Sequence, residues 1–191
     1  MLANLRIRLL KALKPITIWI GQRHMPYSHK LITGKHYFEI VDRLSPGVVF
    51  VTQKYGELTN ILIPGKWTHA AIYVGDGWVV EALGVGVTKT HIIDFLLSKD
   101  EVAVLSPKFG SEGQMAGAAK YALGKVGTPY DYEFKGDNQA FYCSELVWSS
   151  YDQVMQEMPF TIRKTWGVET VIPDDIYNAK SKWTICWEAN R

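Results

Sequence analysis

The sequence predicts a mixed α+β fold in which short strands come first and a cysteine-bearing helix comes late. Three observations point there. Short β-branched runs bounded by Gly, Pro or Asp crowd the stretch from Ser45 to Pro107. Two of these runs, "THAAIYVG" and "GWVVEAL", are joined through Gly75, Asp76 and Gly77 in the manner of a hairpin. Apolar residues at helical spacing then take over, first after Ser111 and again after Cys143. Strands gathered ahead of helices mark the α+β class.

In chain order, "LANLRIRLLKALKPITIWIG" places Leu2, Leu5, Leu9, Ala12, Leu13 and Ile16 three and four residues apart, with basic residues largely between them. That is a basic amphipathic helix, and Pro15 breaks it. "GQRHMPYSHKLITGKH" reads as irregular, so 1–38 is expected to be an N-terminal extension and 39–191 a single domain. "SPGVVFVTQ" is a turn leading into a strand, and "KYGELTNILIPGKW" is a loop excursion before the hairpin. "VGVTKTHI" and "EVAVLSP" supply two further strands, with "IDFLLSKD" as a helical turn between them. A helix opened by Ser111 closes near Gly124 to Gly127. The turn "TPYDYEFKGDN" leads to a second helix from about Cys143 to Met155, then a capped helical turn in "VIPDDIYNAK" and a last strand in "SKWTICWE".

The chain has 191 residues, 47% of them hydrophobic, enough for one domain with one sizeable core. Its two cysteines make a poor disulfide framework, and neither has the neighbours of a zinc site, so no metal or cofactor is implied. No window approaches the roughly 18 apolar residues of a membrane span, and no cleavable signal sequence is recognisable. A cytoplasmic or peripheral membrane location is expected. Residues 1–38 carry seven basic side chains and no acid, so the formal total of +2 leaves −5 on the remainder. The helix in residues 1–20 can lie on an anionic membrane or dock on a partner, or it can pack on the domain itself. Basic residues confined to one end, on an acidic body with no recognised motif, argue against nucleic acid.

Chemistry centres on "CSELVWSSY". Leu146, Val147, Tyr151 and Val154 share a helical face, which leaves Cys143 at the first turn. There the free N–H groups and the helix dipole favour a thiolate; otherwise Cys143 is a small buried hydrophobe. Of His24, His29, His36, His69 and His91, His69 is the strongest candidate base; otherwise it is a structural strand histidine. Alternation puts it with Ala71 and Tyr73 on one strand face, beside small residues that leave room for a substrate. Glu81, on the paired strand, is an acid in an apolar run: it either faces water at an edge or partners a histidine. Glu145 competes as the nearby acid, or simply favours the helix N-terminus.

Together "GVVFV", "THAAIYVGDGWVVEAL", "GTPYDYEF" and "FYCSELVW" resemble the circularly permuted branch of the NlpC-type papain-like cysteine hydrolases, the YiiX/YaeF-like group. The resemblance runs from about Ser45 to Ile176. It implies a permuted papain-like fold, with an antiparallel sheet or small barrel packed against the cysteine-bearing helix. It also implies Cys143 as nucleophile, His69 as general base and later acid, and Glu81 as the group orienting His69. Tyr130 matches the group's aromatic turn and is expected to line the cleft or to be an ordinary packed tyrosine. Tyr142, Trp67 and Trp148 are wall or core residues, and Cys186 is expected to be buried.

The implied activity is cleavage of an amide bond in a peptide or acyl-amino acid, of cell-wall or other origin, through a thioester. A rival keeps the triad but acts on a lipid ester or amide at a membrane surface, which the basic N-terminus would serve. A third reading is a binding module without turnover. The substrate, second oxyanion donor, oligomeric state and setting are left open.

Overall fold

A computed structural model describes residues 32–56, 63–155, 162–165 and 168–189. The amphipathic helix expected in residues 1–20, and the centre of the excursion before Trp67, lie outside these residues. In chain order the elements are α1 (Gly34–Val41), β1 (Val49–Gln53), β2 (His69–Gly75), β3 (Trp78–Leu83), β4 (Gly86–His91) and α2 (Ile92–Leu97). They continue with β5 (Glu101–Pro107), α3 (Glu112–Leu123), α4 (Cys143–Asp152), β6 (Arg163–Thr165), β7 (Val168–Thr170), α5 (Pro173–Asn178) and β8 (Trp183–Glu188).

Six strands form one antiparallel sheet in the order β4-β3-β2-β1-β5-β8, and β6 and β7 pair separately. The sheet is open, so the small-barrel alternative does not hold. Both faces are covered, which explains why β1 and the middle of β2 and β3 are buried without interruption. On one face Val49, Val51, Ala70, Ile72 and Val80 pack against Ala118 and Ala122 of α3 and Leu146, Val147 and Tyr151 of α4. On the other, Phe50, Ala71, Tyr73, Val79 and Val104 meet Ile40 of α1 and Ile92, Phe95 and Leu96 of α2. Burying each such aliphatic or aromatic side chain contributes about 1.5–3 kcal/mol, so α4 is held firmly from its apolar face.

Two turns required glycine. The β2–β3 hairpin closes through Asp76 at φ 52° and Gly77 at φ 77°, the paired left-handed geometry that suits the strand twist. Gly47, at φ 95°, lets its strand approach α3 so closely that a Cβ would meet Met115 at 2.9 Å. The Gly47 carbonyl also accepts the Tyr151 hydroxyl, tying α4 to the entry of β1.

Two features differ from expectation. The "ITGKH" region is not irregular: α1 starts at Gly34, crosses the boundary placed after residue 38, and buries Ile40 alongside Ile32. So short a helix, with one fully buried side chain, leaves no helical period to read. β6 and β7, three residues each, are likewise too short to show alternation. Among the described residues no helix is long and apolar enough to cross a membrane.

Candidate active site

Helix α4 begins at Cys143, with extended Tyr142 as its N-cap at φ −89° and ψ 169°. Glu145 reaches back so that its Oε2 accepts the Tyr142 N–H at 3.1 Å, half of a capping box. Ser144 Oγ donates to the Val171 carbonyl at 2.6 Å, and the Val171 N–H donates to the Tyr142 hydroxyl at 3.2 Å. The helix start is therefore fixed from both sides. Cys143 is 3% exposed and free of any disulfide.

His69 opens β2, its Cα paired with Thr52 of β1. The approach to it is set by Asp174 of α5, whose carboxylate accepts the Trp67 N–H at 2.7 Å and the Lys66 N–H at 3.2 Å. Across the β2–β3 ladder Ala71 faces Glu81, so His69 and Glu81 are diagonal neighbours on one side of the sheet. His69 Nε2 lies 2.8 Å from Glu81 Oε2. With Nε2 so engaged, Nδ1 is the nitrogen left for the thiol, and His69 does interact with the Cys143 side chain.

Glu81 is 3% exposed but fully partnered. Thr90 Oγ1 of β4 donates to its Oε1 at 2.7 Å, and the ammonium of Lys99, in the link from α2 to β5, donates to Oε2 at 3.3 Å. Neither Thr90 nor Lys99 stands out in the sequence. Thr90 reads as an ordinary strand residue, and Lys99 sits in the polar run "SKDE", whose surface position would be the default.

The electrostatics follow from these contacts. Burial alone would push the Cys143 thiol up, but the hydrogen bond and charge of His69 and the N–H groups of Ala70 and Ser144 bring it below its ordinary value. Burial and the Lys99 charge oppose protonation of His69, yet Cys143 and Glu81 outweigh them and its pKa is raised. Glu81 resists burial and is held well below the usual carboxylate range by Lys99 first, then His69 and Thr90. The arrangement favours a thiolate beside an imidazolium.

Among the other expected residues, Tyr130 is part-exposed and packs against Tyr132 at a tilt of 57°, 4.8 Å between ring centroids. Its hydroxyl is held protonated by desolvation first and then by the charge of Cys143. Tyr142 is 7% exposed, its ring against Phe134, and Trp67 is 1% exposed against Tyr177. Both side chains are buried. Trp148 is partly buried against the core that contains Trp67. Cys186, expected to be buried, is part-exposed because β8 is an edge strand. His91 caps α2, its Nδ1 accepting the Ile93 N–H at 3.4 Å, and His36 accepts the Thr33 N–H at 3.2 Å, so both serve helix starts. His24 and His29 lie outside the described residues.

In comparisons with known proteins, no curated protein matches the chain. A solved structure does: the crystal structure described as that of the metalloprotein yiiX from Escherichia coli O157:H7, at TM-score 0.63 and 18% identity. The alignment covers 73% of this chain and 94% of that one, and at such identity it speaks for the fold. Among the described residues no group of three or more His, Cys, Asp or Glu side chains is placed to hold a metal ion. Residues 44–186 match the family described as the permuted papain-like amidase enzymes, YaeF/YiiX, C92 family. With that match spanning most of its length, the chain belongs to the permuted papain-like amidases, and it is a cysteine hydrolase of amide bonds.

Proposed function

We propose that the substrate is a peptide or acyl-amino-acid amide and that Cys143, His69 and Glu81 carry out its hydrolysis. The observation that supports this most directly is the 2.8 Å contact of His69 Nε2 with Glu81, beside a thiol at a helix N-terminus. The Cys143 thiolate attacks the amide carbon and the carbonyl π electrons move to oxygen. The resulting oxyanion faces the first-turn N–H of Cys143, which has no partner within the helix. Tyr130, whose hydroxyl stays protonated and responds to the Cys143 charge, is the second donor in this reading. The tetrahedral species collapses as the C–N bond breaks, and His69 gives its proton to the departing amine. Water then adds to the thioester with His69 accepting its proton, and the acid leaves as the thiol is restored. Glu81 holds the imidazole in one orientation throughout and stabilises its cationic form.

The test is the rate of iodoacetamide labelling of Cys143 from pH 5 to 9, in wild type and in His69→Ala, read by intact mass and peptide mapping. Labelling that persists well below the ordinary thiol pKa of about 8.5, and collapses in the variant, is expected of a thiolate paired with His69. An ordinary thiol titration, unchanged in His69→Ala, overturns the assignment. Cys143→Ser, correctly folded, is expected to lose at least about 10³-fold in turnover of any amide the wild type cleaves.

A further inference from the structure

The Lys99 ammonium is an unusual group to find behind a histidine base. Its side chain is only 9% exposed. The backbone is fixed where α2 ends, with the Lys99 N–H donating to the Leu96 carbonyl at 3.1 Å and the next N–H, of Asp100, donating to Gln53 at 3.0 Å. Nζ lies 4.7 Å from the centre of the Phe95 ring and 3.3 Å from Glu81 Oε2, the same oxygen that binds His69 Nε2 at 2.8 Å. The other carboxylate oxygen is occupied by Thr90. Burying a lysine is costly unless an anion compensates it, and the anion here is the one that orients the base.

We propose that Lys99 is a positioning residue of the hydrolytic site: by sharing Glu81 Oε2 with His69, it keeps that carboxylate ionised and limits how tightly His69 holds its proton. This rests on the assignment of Cys143 and His69 above. The charges run Lys99 positive, Glu81 negative, His69 positive and Cys143 negative, an alternating row that is neutral as a whole. A buried glutamate with His69 as its sole cation would grip the imidazolium proton strongly, which hinders transfer to a leaving amine. Lys99 pulls against that grip, and its charge does act to lower the His69 pKa. The groups facing His69 are Lys99, Glu81 of β3 and Cys143 of α4, and the Cys143 charge acts in turn on Tyr130, Tyr142 and Glu145.

The test uses the full chain and the NMR titration of the His69 ring nitrogens in wild type, Lys99→Met, Lys99→Gln and Lys99→Arg. Losing the charge in Lys99→Met is expected to move the His69 midpoint up by about one pH unit, a tenfold change in proton affinity. Lys99→Gln keeps a hydrogen bond to Oε2 without the charge, so it is expected to shift as far, and it serves if the methionine variant does not fold. Lys99→Arg keeps the charge and the wild-type midpoint. A glutamine variant that titrates like wild type overturns the proposal, because it makes Lys99 a hydrogen-bonding strut alone. The labelling profile of wild-type Cys143 separates the two failures. An ordinary thiol there removes the hydrolytic assignment and this role with it, whereas a thiolate with an unmoved His69 midpoint in Lys99→Gln removes only the role of Lys99.

Discussion

Glu81 and Glu145 are both buried carboxylates, 3% and 4% exposed, and both act on the Cys143 region, yet their surroundings drive them in opposite directions. Glu81 meets cations: Lys99 and His69 outweigh burial and hold it ionised. Glu145 meets burial first; the Tyr142 N–H works the other way, but the charges of Asp131, Asp137 and Cys143 add to burial, so its pKa is pushed up to about 8. One end of the site therefore holds a fixed negative charge that supports an imidazolium. The other end holds a carboxyl that is largely neutral at pH 7 and does not repel the thiolate beside it. Burial pushes both carboxyls up: at Glu81 the neighbouring cations reverse it, and at Glu145 the neighbouring anions add to it.

The largest test of this contrast is Glu81→Gln. The amide can still accept from His69, but it cannot stabilise the cation, and Lys99 is left without its anion. A loss on the order of 10²–10³-fold in kcat/KM is expected, with a weak remnant of activity. Removing one partner of a buried ion pair also destabilises by about 3–5 kcal/mol. Because the folded pKa of Glu81 is depressed, the stability it contributes is present above its unfolded pKa and is lost as the pH falls below that value. Thermal melts should therefore differ most above pH 5 and converge in stronger acid. A constant difference down to pH 3 would mean that Glu81 is not held ionised by its neighbours.

The reach of sequence reasoning divides along the same line. Cys143, His69 and Glu81 were legible because each breaks a local pattern: a rare thiol at a helix start, an imidazole among alanines, an acid in an apolar strand. The main sheet was legible too, since its central strands are long and continuously apolar. Lys99 broke no pattern, because a lysine after a short helix belongs on the surface until β3 and α2 are packed together around it. Glu145 was visible as an acid near the cysteine, but its neutrality depends on its burial and then on Asp131 and Asp137, which reach it through the folding of the 131–139 loop. That loop is shaped by its own contacts, the Asp131 carboxylate accepting the N–H groups of Glu133 at 2.8 Å and Lys135 at 2.6 Å. Single residues carried chemistry in the sequence; the pairings that tune them arise from tertiary structure.

Glu145→Gln probes the other end, with a smaller effect. Glutamine keeps an acceptor for the Tyr142 N–H, so the helix cap survives and the Cys143 labelling rate at pH 7 is expected to stay within about threefold of wild type. Stability is the sharper readout. A raised folded pKa means that the protonated carboxyl is tolerated in full below the unfolded pKa, and that stability declines as the pH rises from there through about 8. The variant escapes this decline, so it should match wild type near pH 4 and exceed it by a few kcal/mol at pH 9, seen as a melting temperature several degrees higher. Equal melting temperatures across that range would show that Glu145 ionises normally.

The smallest perturbation is Asp137→Asn, which alters the cause and leaves Glu145 itself in place. Asp137 is exposed, and its Oδ1 accepts the Gln139 N–H at 3.0 Å, a bond that asparagine can keep. Removing its charge takes away one of the two carboxylates that oppose ionisation of Glu145, while burial, Asp131 and the Cys143 charge remain. The Glu145 carboxyl, followed by carbon-detected NMR, should titrate a few tenths of a pH unit lower, because an exposed charge acts through solvent. The shift should shrink as salt is raised from about 0.05 to 0.5 M, since the interaction is screened. A shift that is large and indifferent to salt would mean that the loop rearranged, and a shift of zero would leave burial, Asp131 and the Cys143 charge as what holds Glu145 up.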